Sequence, residues 1–276
     1  FAVSKQIQNS DGASVSAHHA HFMMATSQGF MGGYPFSRHY ISCAPIASEG
    51  GKQSNMQRDD WYSTSRVPEE LAKPEAIGAY AAQRALARLG ARTLSTRRCR
   101  VLFEAPLAAG LLGAYVQATS GGALYRQSSF LQDSLGCAVF PQHIDIDEQP
   151  HLPRLTGSAP FDDEGVRTQA RKVVDAGVVQ GYFLSTYSAR KLGMKTTGNA
   201  GGSHHLQLKS RLTQAGDDLP QMLKKMGTGL LVTDLMGQGV NYVNGDYSRG
   251  AFGYWVENGV IAYPVEEITI AGNLRE

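Results

Sequence analysis

The chain has 276 residues, 42% hydrophobic and 18% charged, enough for one large or two modest domains with a buried core and no need of covalent staples. A formal net charge of +2, with basic residues spread out apart from Arg97, Arg98 and Arg100, excludes the electrostatic footprint of a nucleic-acid binder. Three distant cysteines, Cys43, Cys99 and Cys137, exclude a disulfide framework and a ribbon-type zinc site and fit a reducing cytosol, while 31 glycines point to many turns and much β structure.

Phe1 opens the chain without a signal-peptide pattern, which reads as a trimmed or internal segment. Over residues 13–61, short β-prone runs lie between the pairs Gly32-Gly33 and Gly50-Gly51, and the spacing predicts two or three antiparallel hairpins. The next stretch predicts a helix that starts at Pro74, carries apolar Ile77, Tyr80, Ala81, Leu86 and Leu89, and stops at Gly90. VLFEA reads as a short buried strand, followed by a helix over residues 106–119 that Gly121 and Gly122 stop. Its apolar run is broken by Glu104, Pro106, Gly110 and Gly113, so it is no membrane span, which needs about 20 predominantly apolar residues.

Residues 141–167 read as a long polar loop without regular structure beyond isolated bridges. After Ala176 β patterning returns, in GVVQGYFLS, SHHLQLKS, GLLVTDLMG, AFGYWVENG and VIAYPVEEITIAG. In the second of these, His204, Leu206 and Leu208 alternate with His205, Gln207 and Lys209, predicting a core face and a solvent face. DDLPQMLKKMG interrupts the strands as a helix, capped by Asp217 or Asp218 and stopped by Gly227. The expected fold class is α+β, a mostly antiparallel β-sheet with a few packed helices.

The chemistry legible in single residues is sparse. No histidine is followed by glutamate, which excludes every HExxH-like zinc pattern. His18, His19 and His21 read as a polar strand face, and His204 and His205 as residues on opposite strand faces that do not chelate one ion together. Ser128, Ser129, Ser185 and Ser188 lack a GxSxG elbow, and Cys43 or Cys137 is expected to be a buried thiol. The glycines of GMKTTGNAGG match neither the phosphate-loop nor the dinucleotide order and suit a tight backbone corner beside a peptide groove.

Three long stretches, GYFLSTYSARKLGMKTTGNAGG, MLKKMGTGLLVTDLMGQGVN and GDYSRGAFGYWVENGVIAYPVEEITIAGNL, closely resemble the PmbA/TldE branch of the TldD/PmbA family, once described as modulators of DNA gyrase. NSDGASVSAHHAHF, GFMGGYPFSRHYISC and SGGALYRQSSFLQDSLG carry the same resemblance, so it covers essentially the whole chain. The resemblance implies a PmbA/TldD-like carboxyl-terminal region over residues 101–276, preceded over residues 1–100 by the end of the amino-terminal region, with the family's first domain and extreme carboxyl end missing.

In the TldD branch a helix resembling LLHEAVGH supplies two zinc-binding histidines and a catalytic glutamate. Aligned on Leu111 and Leu112, this chain has Gly113 and Ala118 at the histidine positions and Ala114 at the glutamate position. The resemblance therefore implies a cytoplasmic TldE-like subunit without its own zinc and not catalytic alone. It would pair with a TldD-like zinc subunit, act on unfolded peptides through free β edges, and touch neither nucleic acid nor membrane; a homodimer in isolation is allowed. Channel-lining candidates are Arg126, Ser128, Thr196, Thr197, Asn199, His204 and His205. Two other readings stay open: a single-chain metallopeptidase using His18, His19, His21 or His204, and a non-enzymatic modulator of DNA gyrase.

Overall fold

A computed structural model of the chain describes residues 1–50 and 55–276. Its first element is one long hairpin of β1 (Ile7–Ala25) and β2 (Met31–Ser48), not the two or three short hairpins that glycine spacing suggested. The turn falls at residues 26–30, where Thr26 N donates to Phe30 O at 2.8 Å and Gly29 takes a φ of +91°. Gly32 and Gly33 lie inside β2, paired with Met24 and Met23, and Gly51 lies outside the described residues. β3 (Met56–Arg58) and β4 (Trp61–Ser65) pair side by side with the distal part of β2.

Helix α1 (Pro74–Ala87) buries Ile77, Ala81, Ala82 and Ala85 against this sheet, its proline sitting where a missing N–H costs nothing. It ends three residues before Gly90, which takes a φ of +71° and redirects the chain. The following segment forms a parallel bridge between Arg92 and Val265, crosses the second sheet with Leu94 packed into its core, and becomes β5 (Arg100–Phe103). That strand is only half covered, with Arg100 and Val101 exposed, because it forms the sheet's edge.

The second sheet runs β12-β11-β10-β5, with β10 (Gly229–Met236), β11 (Asp246–Glu257) and β12 (Val260–Asn273) antiparallel and β5 parallel to β10. Helix α2 (Ala105–Ala118) follows β5 directly and lies over β10. Gly121 does not stop this helix but opens α3 (Gly121–Tyr125): Ser120 Oγ caps it by accepting from Ala123 N at 3.3 Å. Gly121 is required there for closeness, since a Cβ would strike Ser188 and Leu184.

The third sheet runs β8-β7-β6-β9, from β6 (Ile144–Glu148), β7 (Arg171–Asp175), β8 (Val178–Val179) and β9 (Leu206–Ser210). β6 thus stands inside the stretch read as loop. Ile144 and Ile146 alternate with Asp145 and Asp147, and those acids pair with Arg211 at 2.9 Å and Lys209 at 2.9 Å, so polar composition concealed a strand. His204 and His205 precede β9, and Leu208 is 50% exposed, so the core-facing alternation expected there fails: the strand is at the sheet edge. α4 (Thr186–Lys191) starts on a capping box of Ser185 and Ser188. α5 (Leu219–Met226) starts on Asp218, which accepts from Gln221 N at 2.9 Å, and ends at Gly227 with a φ of +74°. The result is a mixed α+β fold of mostly antiparallel sheets, with no helix among the described residues long and apolar enough to cross a membrane.

Candidate functional site

Two polar constructions flank the central helices. The first is the GMKTTGNAGG corner. Glu148, 1% exposed, receives Arg171 Nε at 2.7 Å, Asn199 Nδ2 at 2.8 Å and the His204 amide at 2.8 Å. Arg171 also donates to Asn199 Oδ1 at 3.1 Å and lies over the Phe183 ring, 5.0 Å from its centroid. Thr196 Oγ1 donates to Leu184 O, Thr197 Oγ1 to Tyr182 O, and His204 Nε2 meets Gly198 O at 2.9 Å. A buried carboxylate with this many donors is a satisfied structural centre, and its polar atoms are committed to one another.

The corner brings Thr196, Thr197, Asn199 and His204 together, with His205 adjoining it through a carbonyl that accepts from Gln149 N at 2.7 Å. Arg126 and Ser128 lie elsewhere, at the end of α3. There the exposed Arg126 donates to Tyr125 at 3.2 Å and Ser128 Oγ donates to Ala123 O at 3.2 Å. The two groups connect through α3 and α4, where Tyr125 and Tyr187 meet edge to face at 5.7 Å. His18, His19 and His21 are exposed on β1, and His19 stacks edge to face on His39 at 5.0 Å. All three cysteines are free, and Cys137, expected to be buried, is exposed.

The second construction runs along α2. Leu107, Gly110, Leu111 and Ala114 form one wall of a cavity of about 170 Å³; Leu235, the Gly237–Gln238–Gly239–Val240 turn, Tyr242, Tyr247 and Arg249 form the rest. The turn lies this close because residue 239 is glycine: a Cβ there would run into the carbonyl of Ser248. Tyr247 and Arg249 reach the cavity together because they stand two apart on β11 and so share a face. Burial pushes the Tyr247 phenol above its ordinary range, opposed by the nearby positive charge of Arg249. Alternation in GDYSRGAF carries the signal for that pairing, but only the packing of α2 over the sheet reveals that it faces a cavity.

The three positions aligned with the zinc motif lie on α2 and differ in their surroundings. Gly113 is exposed, with open space where a Cβ would be, Ala114 is buried at the cavity wall, and Ala118 is wholly buried at the end of the helix. None carries a ligand atom. Among the described residues no group of three or more His, Cys, Asp and Glu side chains is placed to hold a metal ion.

Comparison with known proteins agrees with this architecture. Residues 1–89 match the family model described as the PmbA/TldA metallopeptidase central domain, and residues 96–276 the PmbA/TldA metallopeptidase C-terminal domain. The chain is 48% identical over 272 residues to metalloprotease PmbA of Escherichia coli, covering 99% of this chain and 59% of that protein. A PmbA homologue of Haemophilus influenzae is 47% identical with the same coverage. A Thermotoga maritima protein carrying a DNA-gyrase-modulator name superposes with a TM-score of 0.88 at 29% identity, over 99% of this chain and 63% of that one. TldE from Thermococcus kodakarensis shares the fold, with a TM-score of 0.81 at 20% identity over 95% of this chain and 60% of that one. The chain thus spans about three-fifths of the length of these relatives.

Proposed function

Since the chain belongs to the PmbA/TldA metallopeptidase family, we propose that it is the part of a TldE-like subunit that builds a peptidase without supplying the zinc. The zinc and its general base come from a TldD-like partner, and the substrate is an unfolded or extended polypeptide. The observation that carries this reading is that Gly113, Ala114 and Ala118 of α2, at the motif positions, bear no ligand atom and no carboxylate. A zinc hydrolase needs convergent ligands and a carboxylate beside the bound water. Glycine and alanines provide neither. The free outer edges of β1 and β9 support the substrate class, because an extended peptide adds to an edge through main-chain hydrogen bonds with little demand on sequence.

Co-purification of the full-length protein with a TldD-like subunit from the same organism, with zinc quantified in each subunit and cleavage of an unfolded peptide measured for each alone and for the pair, tests the proposal. Zinc in the partner and cleavage dependent on the pair are expected. Stoichiometric zinc in this protein alone, with cleavage by it alone, would overturn the reading.

A further inference from the structure

The cavity along α2 contains a charge without a counterion. Of the other half-buried arginines, Arg84, Arg88 and Arg171 each meet a carboxylate, at 2.7, 3.2 and 2.7 Å respectively, and Arg66 donates to the carbonyls of Thr156 and Ser158 at 2.9 and 3.1 Å. Arg249 has no carboxylate partner among the described residues. Its Nη2 makes one long bond, 3.5 Å, to Leu235 O, and its Nε is buried with no acceptor. Beside it, Tyr247 is 7% exposed; its phenol oxygen lies within hydrogen-bonding range of the Arg249 guanidinium, but its own O–H has no acceptor. Buried donors and charges are normally satisfied, and leaving them unmet is costly. A guanidinium without a carboxylate, beside a phenol whose own proton finds no acceptor, leaves room at the cavity wall for an anionic acceptor.

We propose that this cavity is a carboxylate-binding site, with Arg249 supplying the charge and Tyr247 the orienting hydroxyl. A guanidinium presents a planar fork that matches a carboxylate. The single cation, with no lysine among the lining residues, suits a monoanion better than a phosphate with its charge of about −1.5 to −2. The opposite wall, with Leu111 and Ala114, accepts a short aliphatic group behind the carboxylate. A volume of about 170 Å³ compares with the roughly 150 Å³ of a cavity that admits benzene, which suits a small organic acid or the last residue of a peptide. Those two sources present the same chemistry. The inference does not depend on pairing with a zinc subunit, since every group in the site belongs to this chain.

Isothermal titration of the full-length protein tests it, with acetyl-trialanine as free acid, the same peptide as carboxamide, and propionate. The free acid is expected to bind and the carboxamide not to. Arg249→Gln is expected to weaken binding about tenfold or more, as loss of a charged hydrogen-bond partner does, and Tyr247→Phe by less. Gly110→Leu gives a route independent of the charge: a Cβ there meets nothing within 4 Å, so the helix accepts it while the longer side chain fills the cavity and blocks the ligand. Tighter binding of the peptide than of propionate assigns the site to chain ends, and the reverse order to free acids. The proposal is overturned if acid and carboxamide titrate alike, if neither acid saturates below about 10 mM, or if Arg249→Gln and Gly110→Leu both leave the affinity unchanged.

Discussion

Arg84 on α1 holds Glu104, the residue that opens α2, through a 2.7 Å ion pair between side chains that are both largely out of water. The same guanidinium meets Asp59 at 3.2 Å, donates to Thr233 O and lies 5.0 Å from the Trp61 ring centroid. One side chain therefore ties the first sheet to the start of the helix that lines the cavity. Arg84→Met should destabilise the fold by about 3–5 kcal/mol, because in a dry site Glu104 loses its partner and Asp59 keeps only Arg88, at 3.5 Å. Urea denaturation measures it, and adding Glu104→Gln should recover part of the loss. A cost under about 1 kcal/mol would put the pair with ordinary surface ion pairs instead.

Gly113 and Ala118 should respond oppositely to enlargement. Gly113→Ala adds a Cβ into open space within a helix and is expected to stabilise by about 0.5–1 kcal/mol. Ala118→His forces a ring into a filled core and should destabilise by about 1–3 kcal/mol or more. The triple change Gly113→His, Ala114→Glu, Ala118→His should accordingly fail to create a stoichiometric zinc site, as metal analysis after dialysis would show.

Alkaline stability should carry the mark of Tyr254. Burial, with Asp59 nearby, pushes its phenol up to about 12, above an unfolded value of about 10. Between those values the unfolded chain releases a proton that the folded chain keeps, so this contribution is full below pH 10 or so and is lost as pH rises towards 12. Tyr254→Phe should flatten that limb in denaturation series between about pH 9 and 11.5, and an unaltered slope would show that other groups set it.

Asn199→Ala should loosen the corner built on Glu148. The substitution removes donors to Glu148 and Gly202 and the acceptor used by Arg171, and a cost of about 1–3 kcal/mol is expected. Amide hydrogen exchange should show lost protection around residues 197–204, where Gly202 N donates to Asn199 O, while β10 and β11 keep theirs.

What the sequence disclosed follows from how local each signal is. Helices α1 and α5 were readable because a proline or aspartate at one end and an apolar stripe between act within a few residues. β6 was missed because its acidic residues look like loop until Lys209 and Arg211, distant in sequence, neutralise them. Gly121 and Gly122 read as a stop, but the need that Gly121 meets is close approach to Ser188 on another helix. At the candidate site, glycine and alanine at positions 113, 114 and 118 are visible as residue types, whereas their surroundings and the cavity that Tyr247 and Arg249 face exist only after α2 packs on the second sheet.

The chain between α1 and β5 bridges to β12 at one margin of the second sheet, packs Leu94 into that sheet's core, and becomes its opposite margin at β5. It works as a strap buckled at both ends. A protein engineer wishing to separate the two regions would have to cut before Arg92, since a cut between the strap's two attachments would leave the sheet with a loose border. For the same reason a tug on the hairpin region travels through the strap to both margins at once, and the two regions are expected to respond to load as one body rather than as beads on a string.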